Sequence, residues 1–173
     1  MIFLEADMDK LDAYALTFQM KANGADFYHE LSKKVTDAGM KKSLSLLAEM
    51  EEENLTYISG KIAEIRGKYP ELSEDMISEQ DIYQTQTDKL NIEKYLSDAE
   101  LGNYFILRLA YFIAADFIDF YAQSIRKYSG ESRDVFEELN DREHKHIKRI
   151  KVLIDKEIDE KGLSPDLYSL EEI

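Results

Sequence analysis

The chain has 173 residues, of which 44% are hydrophobic and 34% are charged, as expected for one soluble domain with its own hydrophobic core. Its 36 acidic and 22 basic residues give a net charge of −14, which argues against binding to nucleic acid or an anionic membrane because both are negatively charged. The sequence contains no cysteine, which excludes disulfides, iron–sulfur clusters, Cys-ligated zinc and thiol catalysis.

Neither a signal peptide nor a transmembrane helix is predicted. The N-terminal residues lack a basic segment followed by a long apolar stretch. The apolar run at 105–115 is interrupted by Arg108 and ends at Asp116, so it is too short to cross a bilayer. We therefore expect a cytoplasmic protein.

Four long segments carry apolar residues at the three- and four-residue spacing of α-helices. In chain order, they span about residues 9–35, 39–66, 98–128 and 132–161. Ser97, with Glu100 three positions later, predicts a capping box at the start of the third helix. Gly162 predicts the end of the fourth helix, before a C-terminal tail at 162–173.

The lengths of the connections predict how the helices are paired. Helices one and two, and helices three and four, are separated by only a few residues, so each pair should form an antiparallel hairpin. The polar segment 67–97 is long enough to cross a bundle, with a short helix near residues 74–83. The predicted fold class is all-α: a four-helix bundle of two hairpins, 9–66 and 98–161, joined by a long crossover within a single domain, 1–173.

The two hairpins resemble each other in sequence. Phe27 and Tyr28 in the first helix recur as Phe120 and Tyr121 in the third, 93 positions later. A Glu-x-x-Asn element beginning at Glu51 recurs 92 positions later as Glu-x-x-His. Because both landmarks keep nearly the same offset, we interpret the chain as a duplicated hairpin.

The Glu-x-x-Asn/His elements interrupt otherwise apolar helix faces. Glu51 and Asn54 lie on the stripe of the second helix, and Glu143 and His146 lie at matching positions on the fourth. Burying a carboxylate without a partner is costly, so we expect something to compensate its charge. Glu and His at i and i+3 share one helical face and can ligate one cation.

This pattern resembles the ferritin-like di-iron carboxylate proteins, in which two helices each give a Glu and two give Glu-x-x-His. The chain most resembles the rubrerythrin branch, whose first and third helices read Glu-x-x-Gly/Ala-x-x-Phe-Tyr with the ligand six residues before the Phe. The segment Asn23-Gly24-Ala25-Asp26-Phe27-Tyr28 is similar to that motif. The resemblance covers all four helices and implies a ferritin-like bundle.

The resemblance also implies six metal-ligand positions, three of which have changed. The position in the first helix is Lys21, the position in the third is Ala114, and the first His of the pattern is Asn54. The metal-ligand residues that remain are Glu51, Glu143 and His146. A di-iron centre should not survive this loss.

The sequence is compatible with two different occupants of the site. The ammonium group of Lys21 can replace the charge of a metal and form a buried salt bridge with the carboxylates. Alternatively, Glu51, Glu143 and His146 hold a single iron, manganese or zinc ion at less than full occupancy, with Asn54 or water completing the shell. No rubredoxin-type iron site is expected, because cysteine is absent.

The remaining candidate residues receive simpler predictions. Tyr28 and Tyr121 align with the aromatic pair beneath the family's metal site and should pack there as its second shell. The other residues are expected to face solvent or to point away from the site: His29, His144, Glu49, Glu52, Glu53, Asp116 and Asp119.

The function implied by the resemblance is a rubrerythrin-like bundle with a degenerate di-iron site, and therefore a non-catalytic or weakly metal-binding protein with a structural or interaction role. The alternative is an active oxidoreductase that uses iron or manganese to consume peroxide or oxygen. That enzyme would need an external electron donor, because the chain has no cysteine-ligated iron domain. Pairing of bundles in this superfamily also implies a homodimer.

Overall fold

The computed structural model describes residues 2–68 and 102–163, with side chains from residue 10 onward. All regular secondary structure in these ranges is α-helical. The four helices are α1 (Ile2–Lys34), α2 (Ala38–Lys68), α3 (Gly102–Lys127) and α4 (Glu131–Lys161). None of them combines the length and apolar character needed to span a bilayer.

Six helix boundaries fall within two residues of their predicted positions, and the start of α1 does not. The predicted start of the third helix, near residue 98, lies outside the described residues. α1 begins at Ile2, seven positions before the predicted start. No glycine or proline precedes Asp9, so nothing in the backbone interrupts the helix there. The capping box at Ser97, the short helix at 74–83 and nearly all of the crossover and the tail lie outside the described residues.

The helices pack in two pairs, as predicted. α1 packs against α2 and α3 packs against α4, and three-residue connections at 35–37 and 128–130 make each pair an antiparallel hairpin. At the first connection, Asp37 Oδ1 accepts a hydrogen bond of 2.6 Å from the backbone N–H of Met40 and so caps the start of α2.

The chain divides into two compact units, residues 1–90 and 91–173, and each contains one hairpin. The predicted all-α fold class is confirmed, with four helices arranged as two antiparallel hairpins in the described residues. The assignment of the whole chain to one domain stays a prediction.

Each hairpin buries the apolar stripes that defined its helices. The largest fully buried apolar side chains are Tyr28, Leu44, Leu47 and Ile58 in the first unit and Tyr104, Leu107, Tyr121, Phe136, Leu139, Ile150 and Ile154 in the second. The polar positions of the candidate site lie among these residues along the helices.

The end of α4 has the glycine-dependent geometry that the sequence predicted. Gly162 has φ +63° and ψ +32°, in the left-handed region that favours glycine. Its N–H donates to the carbonyl of Asp159 (3.3 Å), and the N–H of Leu163 donates to the carbonyl of Ile158 (3.0 Å). These two bonds form a Schellman motif and satisfy carbonyl groups at the helix end.

We expect Gly162→Ala to lower the free energy of unfolding by about 1 kcal/mol, because an L side chain is strained in the left-handed region. Gly60→Ala is the matched control. Gly60 lies inside α2, has ordinary helical geometry and leaves open space for a Cβ atom, so this change should stabilise the protein by up to about 1 kcal/mol. Urea unfolding of both variants measures the difference, and equal effects would contradict the assigned helix end.

Candidate metal centre

The first hairpin contains a buried ion pair. Lys21 lies on the inward face of α1 and is fully buried, and Glu51 of α2 is 1% exposed. The Lys21 Nζ atom lies 3.0 Å from Glu51 Oε2. This is the salt bridge that the sequence predicted for a lysine at a ligand position, and it compensates a carboxylate charge that would be costly to bury alone.

Two further polar side chains are buried one helical turn away from the members of this pair along the chain. Asn54 is 3% exposed and lies one turn after Glu51 on α2. Thr17 is fully buried one turn before Lys21, and its hydroxyl donates a 2.8 Å hydrogen bond to the carbonyl of Ala13. We did not predict a role for Thr17, although its four-residue spacing from Lys21 was visible in the sequence.

The second hairpin buries a carboxylate and an imidazole on one helix. Glu143 is fully buried and His146 is 1% exposed, three positions apart on α4. The Nδ1 atom of His146 lies 3.4 Å from Glu143 Oε1. Ala114 of α3 is 2% exposed, so all six positions of the predicted template are buried in their own hairpins.

The paired aromatic residues have nearly the same geometry in the two hairpins. The rings of Phe27 and Tyr28 are 5.3 Å apart at 61°, and those of Phe120 and Tyr121 are 5.5 Å apart at 62°. Tyr28 and Tyr121 are buried, at 1% and 0% exposed. Tyr104 and Phe105, another adjacent pair on α3, have a similar edge-to-face arrangement at 5.8 Å and 64°, so this geometry follows from adjacency on a helix and does not test the duplication.

The acidic residues beside Glu51 face solvent, as expected. Glu49, Glu52 and Glu53 are exposed on α2. His29 is less solvated than we expected, because its Nε2 atom lies 2.9 Å from Glu52 Oε1 across the first hairpin. His144 is half-buried.

One buried carboxylate, on α4, is not among the residues that the sequence led us to expect at the site. Glu157 on α4 is 9% exposed, and its Oε1 atom accepts a 3.3 Å hydrogen bond from Asn103 Nδ2 of α3. The signal was present, because Glu157 continues the three- and four-residue spacing of the stripe that contains Ile150 and Ile154.

Asp116 and Asp119 are exposed on α3, as their helical positions predicted. The pKa of Asp116 is raised above its usual value, mainly by partial burial and also by the negative charge of Asp119. An Asp that is harder to ionise in the folded state opposes folding once it is charged.

We expect the Lys21–Glu51 ion pair to be sensitive to the loss of either partner. Lys21→Met alone should destabilise the protein by about 3–5 kcal/mol, because it removes the cation that lies 3.0 Å from a buried carboxylate. The double change Lys21→Met, Glu51→Leu should recover most of that loss. Urea unfolding of the single and double variants measures the coupling.

The exposed ion pair between Arg133 and Glu137 on α4, with an N–O distance of 2.8 Å, is the control for this cycle. Arg133→Met should cost less than about 1 kcal/mol, because both partners are solvated. A loss at Lys21 no larger than the loss at Arg133 would contradict the burial of the charge.

We also expect Asp116→Asn to stabilise the protein at neutral pH. The folded-state pKa of Asp116 is raised, so its stabilising contribution is complete below the unfolded-state pKa and is lost as pH rises through the folded-state value. The advantage of the Asn variant should therefore shrink as the pH falls below the usual range for Asp. Thermal unfolding across acidic and neutral pH tests this, and an advantage that grew toward acid would refute it.

No family model, curated protein or solved structure matches this chain. The resemblance to the rubrerythrin branch therefore depends on the repeated motifs, with which the buried positions described above are compatible.

Proposed function

We propose that this protein is a degenerate relative of the rubrerythrin-like di-iron proteins in which a lysine supplies the positive charge that a metal would otherwise provide. Its role is then structural or in interaction with other molecules rather than catalytic. The observation that carries the proposal is the fully buried Lys21 ammonium, 3.0 Å from the carboxylate of Glu51.

The donor set does not fit a di-iron centre. The six template positions hold two carboxylates, one imidazole, one amide, one methyl group and one ammonium group. The methyl group of Ala114 cannot ligate a metal, and a protonated lysine offers no lone pair. The ammonium of Lys21 also forms an ion pair with Glu51, which is one of the two carboxylates that remain.

The remaining ligands are suited to a single cation. Glu51, Glu143 and His146 are all buried, and each offers one carboxylate oxygen or imidazole nitrogen. They occupy matching register positions in the two repeated hairpins, which supports their meeting in one site if the hairpins form the predicted bundle. Such a mixed O/N set suits iron, manganese or zinc, with Asn54 or water as a further ligand.

Binding at this site should be weak because a cation must compete with Lys21 for Glu51. Opposite charges at this distance interact strongly when both groups are buried, and a like charge beside an incoming metal ion opposes its binding. We propose that occupancy is therefore below one ion per chain.

The competing hypothesis is a metal-dependent oxidoreductase that consumes peroxide or oxygen. The absence of cysteine means that such an enzyme would draw electrons from an external donor. A cytoplasmic location and an absence of binding to nucleic acid or membranes are parts of both hypotheses. The two differ in the number of metal ions that the protein holds.

Metal binding by the wild-type protein and by Lys21→Met separates these hypotheses. We expect at most one weakly bound Co(II) ion per wild-type chain by calorimetry and visible absorption. Lys21→Met should bind Co(II) more tightly, because the competing charge is gone, and the metal should restore part of its lost stability. Lys10→Met, at a half-buried lysine elsewhere on α1, is the control and should leave affinity unchanged.

The metal-binding measurement can also be made on a variant in which the three changed ligand positions are restored. Lys21→Glu, Asn54→His and Ala114→Glu together should raise the capacity to two ions per chain if the template positions are correct. Two tightly bound irons in the wild-type protein, with an oxo-bridge absorption in air, would overturn the degenerate assignment. A folded triple variant that binds no more metal than the wild type would show that the positions are wrong.

A further inference from the structure

The outer face of α4 carries a group of basic side chains in a chain of net charge −14. Five of the 22 Lys and Arg residues lie in the ten positions 142–151, where the one acidic residue, Glu143, is fully buried. Lys145, Lys148 and Arg149 are exposed, and the first lies one helical turn before the other two, so all three lie on the same side of α4. We call these three residues the basic patch.

The basic patch lacks the ion pairs that neutralise other basic residues of α4. The side chains of Arg133, Arg142 and Lys156 lie 2.8, 2.7 and 3.6 Å from a Glu on the same helix. Across the residues that the structure describes, no ion pair involves the basic patch. Lys148 and Arg149 also have no Asp or Glu three or four positions away in either direction. Like charges at this spacing repel one another, and carboxylates from outside the helix would relieve that repulsion.

An exposed apolar side chain lies beside the basic patch. Val152 is 65% exposed, and it follows Lys148 by four positions and Arg149 by three, so it shares their side of the helix. Burying an apolar side chain against a partner is favourable, and the charged side chains around it can pair with the same partner. The basic patch and Val152 therefore offer the apolar and the polar contacts of a protein interface next to each other.

We propose that the basic patch and Val152 bind a short acidic segment of a different protein, in which carboxylates flank an apolar residue. The carboxylates pair with the three basic side chains, and the apolar residue covers Val152. This inference concerns the outer face of α4, so it does not depend on what occupies the metal centre.

Two acidic residues limit the length of the anion that can lie on this face. Asp141 is exposed one turn before Lys145, and Asp155 is exposed one turn after Val152. The stretch between positions 145 and 152 is about 10 Å long, which is two turns of a helix. A longer polyanion would lie against both aspartates and would be repelled by them and by the negative net charge of the chain. The charge pattern therefore favours a short protein segment over nucleic acid or an anionic membrane.

A labelled peptide tests the interaction. The peptide is about three helical turns long, and its glutamates flank a central leucine. We expect it to bind the wild-type protein at about 0.1 M salt and to be released at about 1 M salt, where the Debye length falls to about 3 Å. The reversal variant Lys145→Glu, Lys148→Glu, Arg149→Glu should bind it more than about tenfold more weakly, because like charges across an interface repel. Fluorescence anisotropy measures both affinities.

Two controls separate the basic patch from the net charge and test the contact with Val152. The control variant Lys34→Glu, Lys41→Glu, Lys42→Glu changes the net charge as much at other exposed positions and should leave the affinity unchanged. Val152→Ser and replacement of the leucine of the peptide by serine should each weaken binding. The two changes together should weaken it no more than either one alone, because they remove the same contact.

Circular dichroism checks that each variant folds. If the reversal variant does not fold, the neutral variant Lys145→Gln, Lys148→Gln, Arg149→Gln takes its place and should also weaken binding. The proposal is overturned if the wild type does not bind the peptide at about 0.1 M salt, or if the reversal and control variants lose affinity equally. It is also overturned if the losses at Val152 and at the leucine are additive, or if duplex DNA or anionic phospholipid vesicles bind the basic patch more tightly than the peptide does. Sedimentation of a wild type that self-associates through the basic patch would overturn the assignment to a different protein.

Discussion

The ion pair between Lys21 and Glu51 is the constraint on which the interior of the first hairpin depends. Both groups are removed from water, and a buried charge is tolerated only where another group compensates it. The pair therefore fixes α1 against α2 at the level of the site, because a shift along either helix would separate the charges. It is also the interaction on which the proposed absence of a di-iron centre depends.

Most of the fold was predictable because helix periodicity and short connections are local properties of the sequence. The paired helices and the glycine that ends α4 followed from these signals. The predicted start of α1, which we took from the apolar spacing, was wrong by seven positions. Nothing in the preceding residues prevents the helix from beginning at Ile2.

The burial of the site residues was predictable because each of them lies on the apolar stripe of its helix. Lys21, Glu51, Glu143 and His146 lie on stripes of otherwise apolar residues, and all four are buried. Contacts between residues on different helices were not predictable in the same way. The contact between His29 and Glu52 depends on how α1 and α2 are packed together, which single-helix periodicity does not specify.

The two hairpins bury their carboxylates in different surroundings. The first places a cation and a carboxylate on separate helices, Lys21 and Glu51, whereas the second places Glu143 and His146 on one helix. In a di-metal site the metal ions would be shared by ligands from all four helices. In the first hairpin, Lys21 compensates the charge of Glu51, so that hairpin does not require a metal ion in order to bury its carboxylate. Under the proposed function, the loss of a metal ion would then be compatible with keeping the fold of the first hairpin.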